Sequence, residues 1–184
     1  LNAFGYDTLK VTNESLKVVS PGNKIIGAAY GVIKELMPES SIWGGKTQPQ
    51  FYAPILELAD MTKSLGFDHL ADRNEAQEQY NFVEALDMVP LLQNLMAEIG
   101  IEDSPKTAFT NTWFPFWKKL TEKLWKSNLI TLDDQKYWAL NRLANHGGTQ
   151  QWLCGKRFSH ILVDEFQDIN ILDLFLISQI ALVT

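Results

Sequence analysis

Apolar residues recur every three or four positions through most of the chain, the spacing of helices with one buried face. Ile25, Ile26, Ala29, Val32, Ile33 and Leu36 share one side of a predicted helix that Ser20-Pro21 opens. Ile55 to Leu65 predicts a short helix closed by Gly66. Asn74 to Ile99 predicts a longer helical region, bent before Pro90 because proline restricts the preceding residue and lacks a backbone donor. Gly100 fits its C-cap. Pro115 to Lys126 places Phe116, Leu120 and Leu124 on one side of another helix. Thr131 is a good N-cap for the next, Asp133 and Asp134 suit its positive end, and it should stop near His146-Gly147. Leu1 to Tyr6 reads as a helix tail broken by Gly5. Pro38 to Pro54 and Ile101 to Thr112 read as loops.

The period changes at Ile161-Leu162-Val163, which predicts a short buried strand. It delivers two adjacent carboxylates, Asp164 and Glu165, at its carboxyl end, the edge where open α/β sheets bind ligands. One carboxylate can help hold a magnesium ion while its neighbour polarises a water. An Asp-Glu pair after an apolar run is common and usually marks a strand ending in solvent. Here Phe166, Gln167 and Asp168 follow, then Asn170 as an N-cap with Asp173 at N3. Ile171, Leu172, Phe175, Leu176, Gln179 and Ile180 carry a helical stripe beyond it. Strand, acidic corner and capped helix form the context a nucleotide site requires.

Composition narrows the partners. Of 184 residues, 46% are hydrophobic and six are Trp, enough for a real core. With 16 Lys+Arg against 22 Asp+Glu the net charge is −6, the wrong sign for a general nucleic-acid binder, so any DNA contact needs a local basic patch. The single Cys154 excludes an internal disulfide and a cysteine-rich zinc site. His69, His146 and His160 have no metal-ligand spacing. No charged-then-apolar leader is visible, and Ile169 to Val183 is too short and too polar to span a bilayer, so no membrane partner is expected. Leu1 at one end and Ile180-Ala-Leu-Val-Thr184 at the other look cut from a longer protein.

Gly44-Gly45-Lys46-Thr47 looks superficially like a phosphate-binding loop. That motif needs Gly-x4-Gly-Lys-Ser/Thr between a strand and a helix, and here Ser40 holds the first glycine position and Pro49 follows closely. It reads as a surface loop. Lys119, Lys123 and Lys126 share a helix face at i, i+4, i+7, with Trp113, Trp117 and Trp125 nearby. Glu75, Glu78 and Glu84 read as a solvated helix face. Phe51, Tyr52, Phe82, Tyr137 and Trp138 read as packing residues.

Val163 to Asn170 resembles the Walker B region of the UvrD/Rep/PcrA group of superfamily-one DNA helicases, which runs close to V-D-E-F-Q-D-T-N; Ile169 replaces the usual Thr. The likeness is specific at 158–175, extends to 1–36 and 113–146, and is vague at 37–112. Leu16 to Gly22 resembles that family's extended link before its helical insertion. Thr131 to Gln135 resembles its D-F-x-D-L segment, with Thr131, Leu132 and Gln135 departing from it.

The resemblance implies a mainly α chain: a helical insertion subdomain attached to a fragment of an α/β RecA-like parallel-sheet domain. Residues 1–19 would end the first core segment, 20–128 form the insertion, and 129–184 return to the core with the Walker B strand and the helix after it. It implies that Asp164 and Glu165 serve the metal, that Glu165 is also the catalytic group for the attacking water, and that Gln167 and Asp168 couple the nucleotide to neighbouring motifs. The last two have an alternative as a turn capping the next helix. The insertion would meet duplex DNA, with Lys119, Lys123 and Lys126 as phosphate contacts or, alternatively, as a solvated face over core tryptophans. The intact parent would be a cytoplasmic, ATP- and Mg2+-dependent helicase acting in DNA repair with 3′ to 5′ polarity. Its partners would be single-stranded DNA, the duplex junction and its own remaining domains. Alone, this stretch would be inactive, because the lysine-bearing phosphate loop lies upstream in that family. A RecB/AddA-type helicase–nuclease and a non-catalytic helical interaction module are the rival readings.

Overall fold

The computed structural model describes residues 17–18, 26–36, 53–101, 104–145 and 159–182. In chain order these form β1 (Lys17–Val18), α1 (Ile26–Leu36), α2 (Ala53–Ser64), α3 (Arg73–Ala85), α4 (Val89–Glu98) and α5 (Pro105–Ala108). A π-helical turn, Phe109–Trp113, leads into α6 (Phe114–Lys126), followed by β2 (Leu129–Ile130) and α7 (Leu132–Asn145). A 3-10 turn, Phe166–Asp168, then precedes α8 (Ile171–Ala181). The protein is mainly helical, as the apolar spacing predicts. The expectations for Leu1–Tyr6, Gly44–Thr47, His146 and Cys154 fall outside the described residues.

Side-chain caps start several helices where the residue pattern places them. Thr131 Oγ1 accepts from the Asp134 N–H at 3.1 Å, and Asp134 Oδ2 accepts from the Thr131 N–H at 2.6 Å, a reciprocal cap. Asn170 and Asp173 form the same arrangement at α8. So do Asp72 and Glu75 at α3, where Glu75 is a capping residue as well as part of an exposed face. Gly66 and Gly100 both take φ of 85°, the left-handed conformation that ends a helix at little cost for glycine.

Two helical expectations change. The region expected as one bent helix over 74–99 is two helices, separated at Leu86–Met88, with Asp87 at φ 57°. Pro90 lies in the first turn of α4, where its missing N–H costs nothing. Residues expected as a loop over 101–112 are helical from Pro105 onward. Their threonines and asparagine favour turns locally, but Phe109, Thr110 and Trp113 are buried, and that packing overrides weak propensity.

The core is built on that segment. Trp113 and Trp117 are fully buried with Tyr80, Phe67, Phe109, Leu58, Leu92 and Leu120. Trp113 Nε1 donates to Thr62 Oγ1 at 2.8 Å, and Thr62 Oγ1 donates to the Leu58 carbonyl at 2.7 Å, so these two buried polar groups are satisfied as the π turn is tied to α2. Helix α2 packs against α4, α7 and α8, and α1 packs against α6. Strands β1 and β2 pair in parallel, Lys17 opposite Leu129 and Val18 opposite Ile130. The chain therefore enters and leaves the helical run side by side.

Ile161–Val163 is not the buried strand expected from its apolar run. Among the described residues no strand pairs with it; Leu162 is 95% exposed, and Ile161 and Val163 are each 37% exposed. A strand satisfies its N–H and C=O groups only through a neighbouring strand, and the β1–β2 pair does not include this run.

Candidate acidic site

The acidic corner lies between the exposed run 159–163 and α8. Asp164 Oδ1 accepts from the Glu165 N–H at 2.9 Å, turning the chain immediately. Glu165 takes φ 50° and ψ 45°, a left-handed conformation that costs a non-glycine residue about 1–2 kcal/mol. The turn is closed by the Asp168 N–H, which donates to the Glu165 carbonyl at 2.8 Å. Gln167 Nε2 donates to Glu165 Oε2. Both carboxylates, Gln167 and Asp168 are exposed.

Beyond the turn the chain is anchored. The Asp173 N–H donates to Asn170 Oδ1 at 2.9 Å, and Ile171 and Leu172 bury themselves as α8 begins. The order of residues puts Asp164, Glu165, Gln167 and Asp168 in one local constellation, and the four do lie in one turn. The direct contact from Gln167 to Glu165 is a detail that spacing does not reveal.

Magnesium fits this corner only as a shared ligand. No group of three or more His, Cys, Asp or Glu side chains among the described residues is arranged to hold a metal ion. Magnesium is commonly held by one or two carboxylates, with substrate phosphates and waters completing its shell. Asp164 offers one hard, exposed oxygen donor of that kind, with Glu165 beside it.

A second charged cluster has no signature in residue spacing. Lys63 on α2 and Asp134 on α7 form a buried ion pair across 71 positions. Next to it, burial and the nearby Asp133 carboxylate push Asp60 up to about 6, and its Oδ1 has no hydrogen-bond partner. His69 is buried among Trp117, Trp125 and Tyr137, with ring centroids 6.1, 4.6 and 4.7 Å away. Burial, reinforced by the positive charge of Lys63, pulls His69 down to about 4. The only signal in the sequence was the Thr131-x-x-Asp134 cap, which gives no hint of Lys63.

The lysine face is thinner than its spacing implies. Lys123 is paired with Glu35 on α1. Lys118, one position before the face, donates to the Ala71 carbonyl and lies over the Phe114 ring. Lys119 and Lys126 are exposed. Trp113 and Trp117 are core residues, and Trp125 is half-buried.

No helix among the described residues is long and apolar enough to cross a membrane. No curated protein and no solved structure matches the chain. The family model described as the UvrD/REP helicase N-terminal domain matches residues 2–184. That family consists of DNA helicases that hydrolyse ATP, and its N-terminal domain accounts for nearly the whole sequence. The match spans the helical body, the acidic corner and its capped helix alike: the chain is a member of the UvrD/REP helicase family.

Proposed function

We propose that this chain supplies the acidic half of the ATP site of a DNA helicase, together with a helical insertion that approaches duplex DNA. The observation that carries the reading is the Asp164–Glu165 corner with Gln167 on Glu165, immediately before the capped helix α8, in a chain of this family. Asp164 would hold magnesium, which when bound would supply positive charge to offset that of the phosphates. Glu165 accepts a proton from the attacking water, and the Gln167 amide orients its carboxylate. In the full-length protein, a neighbouring strand of a RecA-like sheet would pair with Ile161–Val163 and bury the apolar side chains that are exposed here. Translocation would run 3′ to 5′ on single-stranded DNA.

This 184-residue stretch has no Gly-x4-Gly-Lys-Ser/Thr motif, so by itself it should neither bind Mg-ATP tightly nor hydrolyse it. The test uses the full-length protein. Glu165→Gln should remove most DNA-stimulated hydrolysis, about 100-fold or more, while ATP binding persists. Normal turnover by that variant would deny Glu165 its role.

A further inference from the structure

Lys136 on α7 reaches across to Asp173 on α8. Its Nζ lies 3.0 Å from each oxygen of that carboxylate and 3.2 Å from Asp133 Oδ1 on its own helix. Asp173 is also the N3 residue of the α8 cap, where it meets the Asn170 N–H. One cation thus holds the first turn of α8 to α7. The other end of this link is fixed too, since Asp134, next to Asp133, is paired with Lys63 of α2.

Among the described residues, no hydrogen bond or ion pair ties the acidic corner to the helical body. Every residue from 159 to 168 is exposed, and the hydrogen bonds described for Ser159–Asp168 are local. Burial resumes at Ile171 and Leu172, in the turn that Lys136 clamps. Among the described residues, the first turn of α8 is where the chain of Asp164 and Glu165 joins the body. The Lys136 side chain is 34% exposed, so its ion pairs contribute little to global stability. Their consequence is orientation.

We infer that Lys136 is a positioning residue for the acidic corner, acting through Asp173 and the α8 cap to set where Glu165 stands. The inference rests on the proposed role of Glu165. It assigns Lys136 no contact with nucleotide.

The test is a double-mutant cycle in the full-length protein, read by DNA-stimulated ATP turnover and by hydrogen exchange over residues 165–176. Lys136→Met should lower kcat about tenfold with the KM for ATP nearly unchanged, since small misplacements of a reacting group cost rate more than binding. Exchange over 165–176 should quicken while α3 exchanges as before. Asp173→Asn keeps an oxygen for the cap and removes the ion pair, so it should match Lys136→Met, and the double variant should be no worse than either. Lys136→Arg should retain most turnover. Normal kcat in both Lys136→Met and Asp173→Asn overturns the inference, even if exchange quickens, because Lys136 would then only steady a helix end. Additive losses overturn it as well. Glu165→Gln in parallel separates the two claims: if it abolishes turnover and Lys136→Met leaves kcat normal, only the Lys136 inference fails. If Glu165→Gln turns over normally, both fall.

Discussion

Gly66 faces the ring of Phe175: a methyl group added at residue 66 would stand 2.7 Å from Phe175 Cε2 and 3.2 Å from Ile171 Cγ2. The glycine that ends α2 is thus also the point of close approach between the helical body and the helix after the acidic corner.

Gly66→Ala should therefore be costly for two reasons. A φ of 85° is disfavoured for alanine by about 1–2 kcal/mol, and forcing Phe175 aside adds about 1–3 kcal/mol of overpacking. Thermal unfolding should show a Tm lowered by roughly 5–15 °C. Phe175→Leu in the same chain should recover part of that loss. A Gly66→Ala protein as stable as the wild type would mean the two helices do not meet there.

The buried pair of Lys63 and Asp134 gives a sharper energetic test. Lys63→Met leaves Asp134 buried with its charge uncompensated and should cost about 3–5 kcal/mol in denaturant unfolding. Combining it with Asp134→Leu removes the stranded charge, at the expense of the hydrogen bond that Asp134 Oδ2 accepts from the Thr131 N–H, and should be less damaging than Lys63→Met alone. A double variant clearly worse than Lys63→Met would show that the single change leaves no stranded charge to relieve.

Asp60 and His69 should oppose each other in acid. Asp60 rises from 3.8 to about 6, so the stability it contributes is present at low pH and lost as pH rises through 6. His69 falls from 6.5 to about 4, so its contribution is present above 6.5 and lost as pH falls toward 4. Between pH 4 and 6.5 the two slopes nearly cancel. Relative to the wild type, Asp60→Asn should lose stability as pH falls through this window, and His69→Phe should gain it. Urea unfolding at several pH values decides the matter; the account is falsified if both variants tilt the profile the same way.

On DNA, the proposed duplex contact narrows to Lys119 and Lys126, because Lys123 is held by Glu35. Changing both exposed lysines to Glu should reduce duplex unwinding by the full-length protein more than its single-strand-stimulated ATPase. It should also flatten the salt dependence of duplex binding, by a slope of about 2 if each lysine neutralises one phosphate. Unwinding and salt slope both unchanged would leave a solvated helix face.

What residue order determined by itself is the local part of this protein. A cap such as Asn170 with Asp173, or Thr131 with Asp134, joins residues three apart, and a glycine at a helix end needs only its own φ. The acidic constellation was legible for the same reason, since Asp164 to Asp168 meet within one turn. Tertiary structure decided the rest. Residues 105–113 are helical because Phe109 and Trp113 find a core to fill, not because their neighbours favour a helix. The meeting of Lys63 with Asp134, or of Lys136 with Asp173, depends on how helices stack, and spacing within either helix is silent on that. Ile161–Val163 makes the point from the other side. An apolar run sets a preference for a strand, but a strand's hydrogen bonds belong to its neighbours, and with no strand beside it among the described residues the run stays exposed.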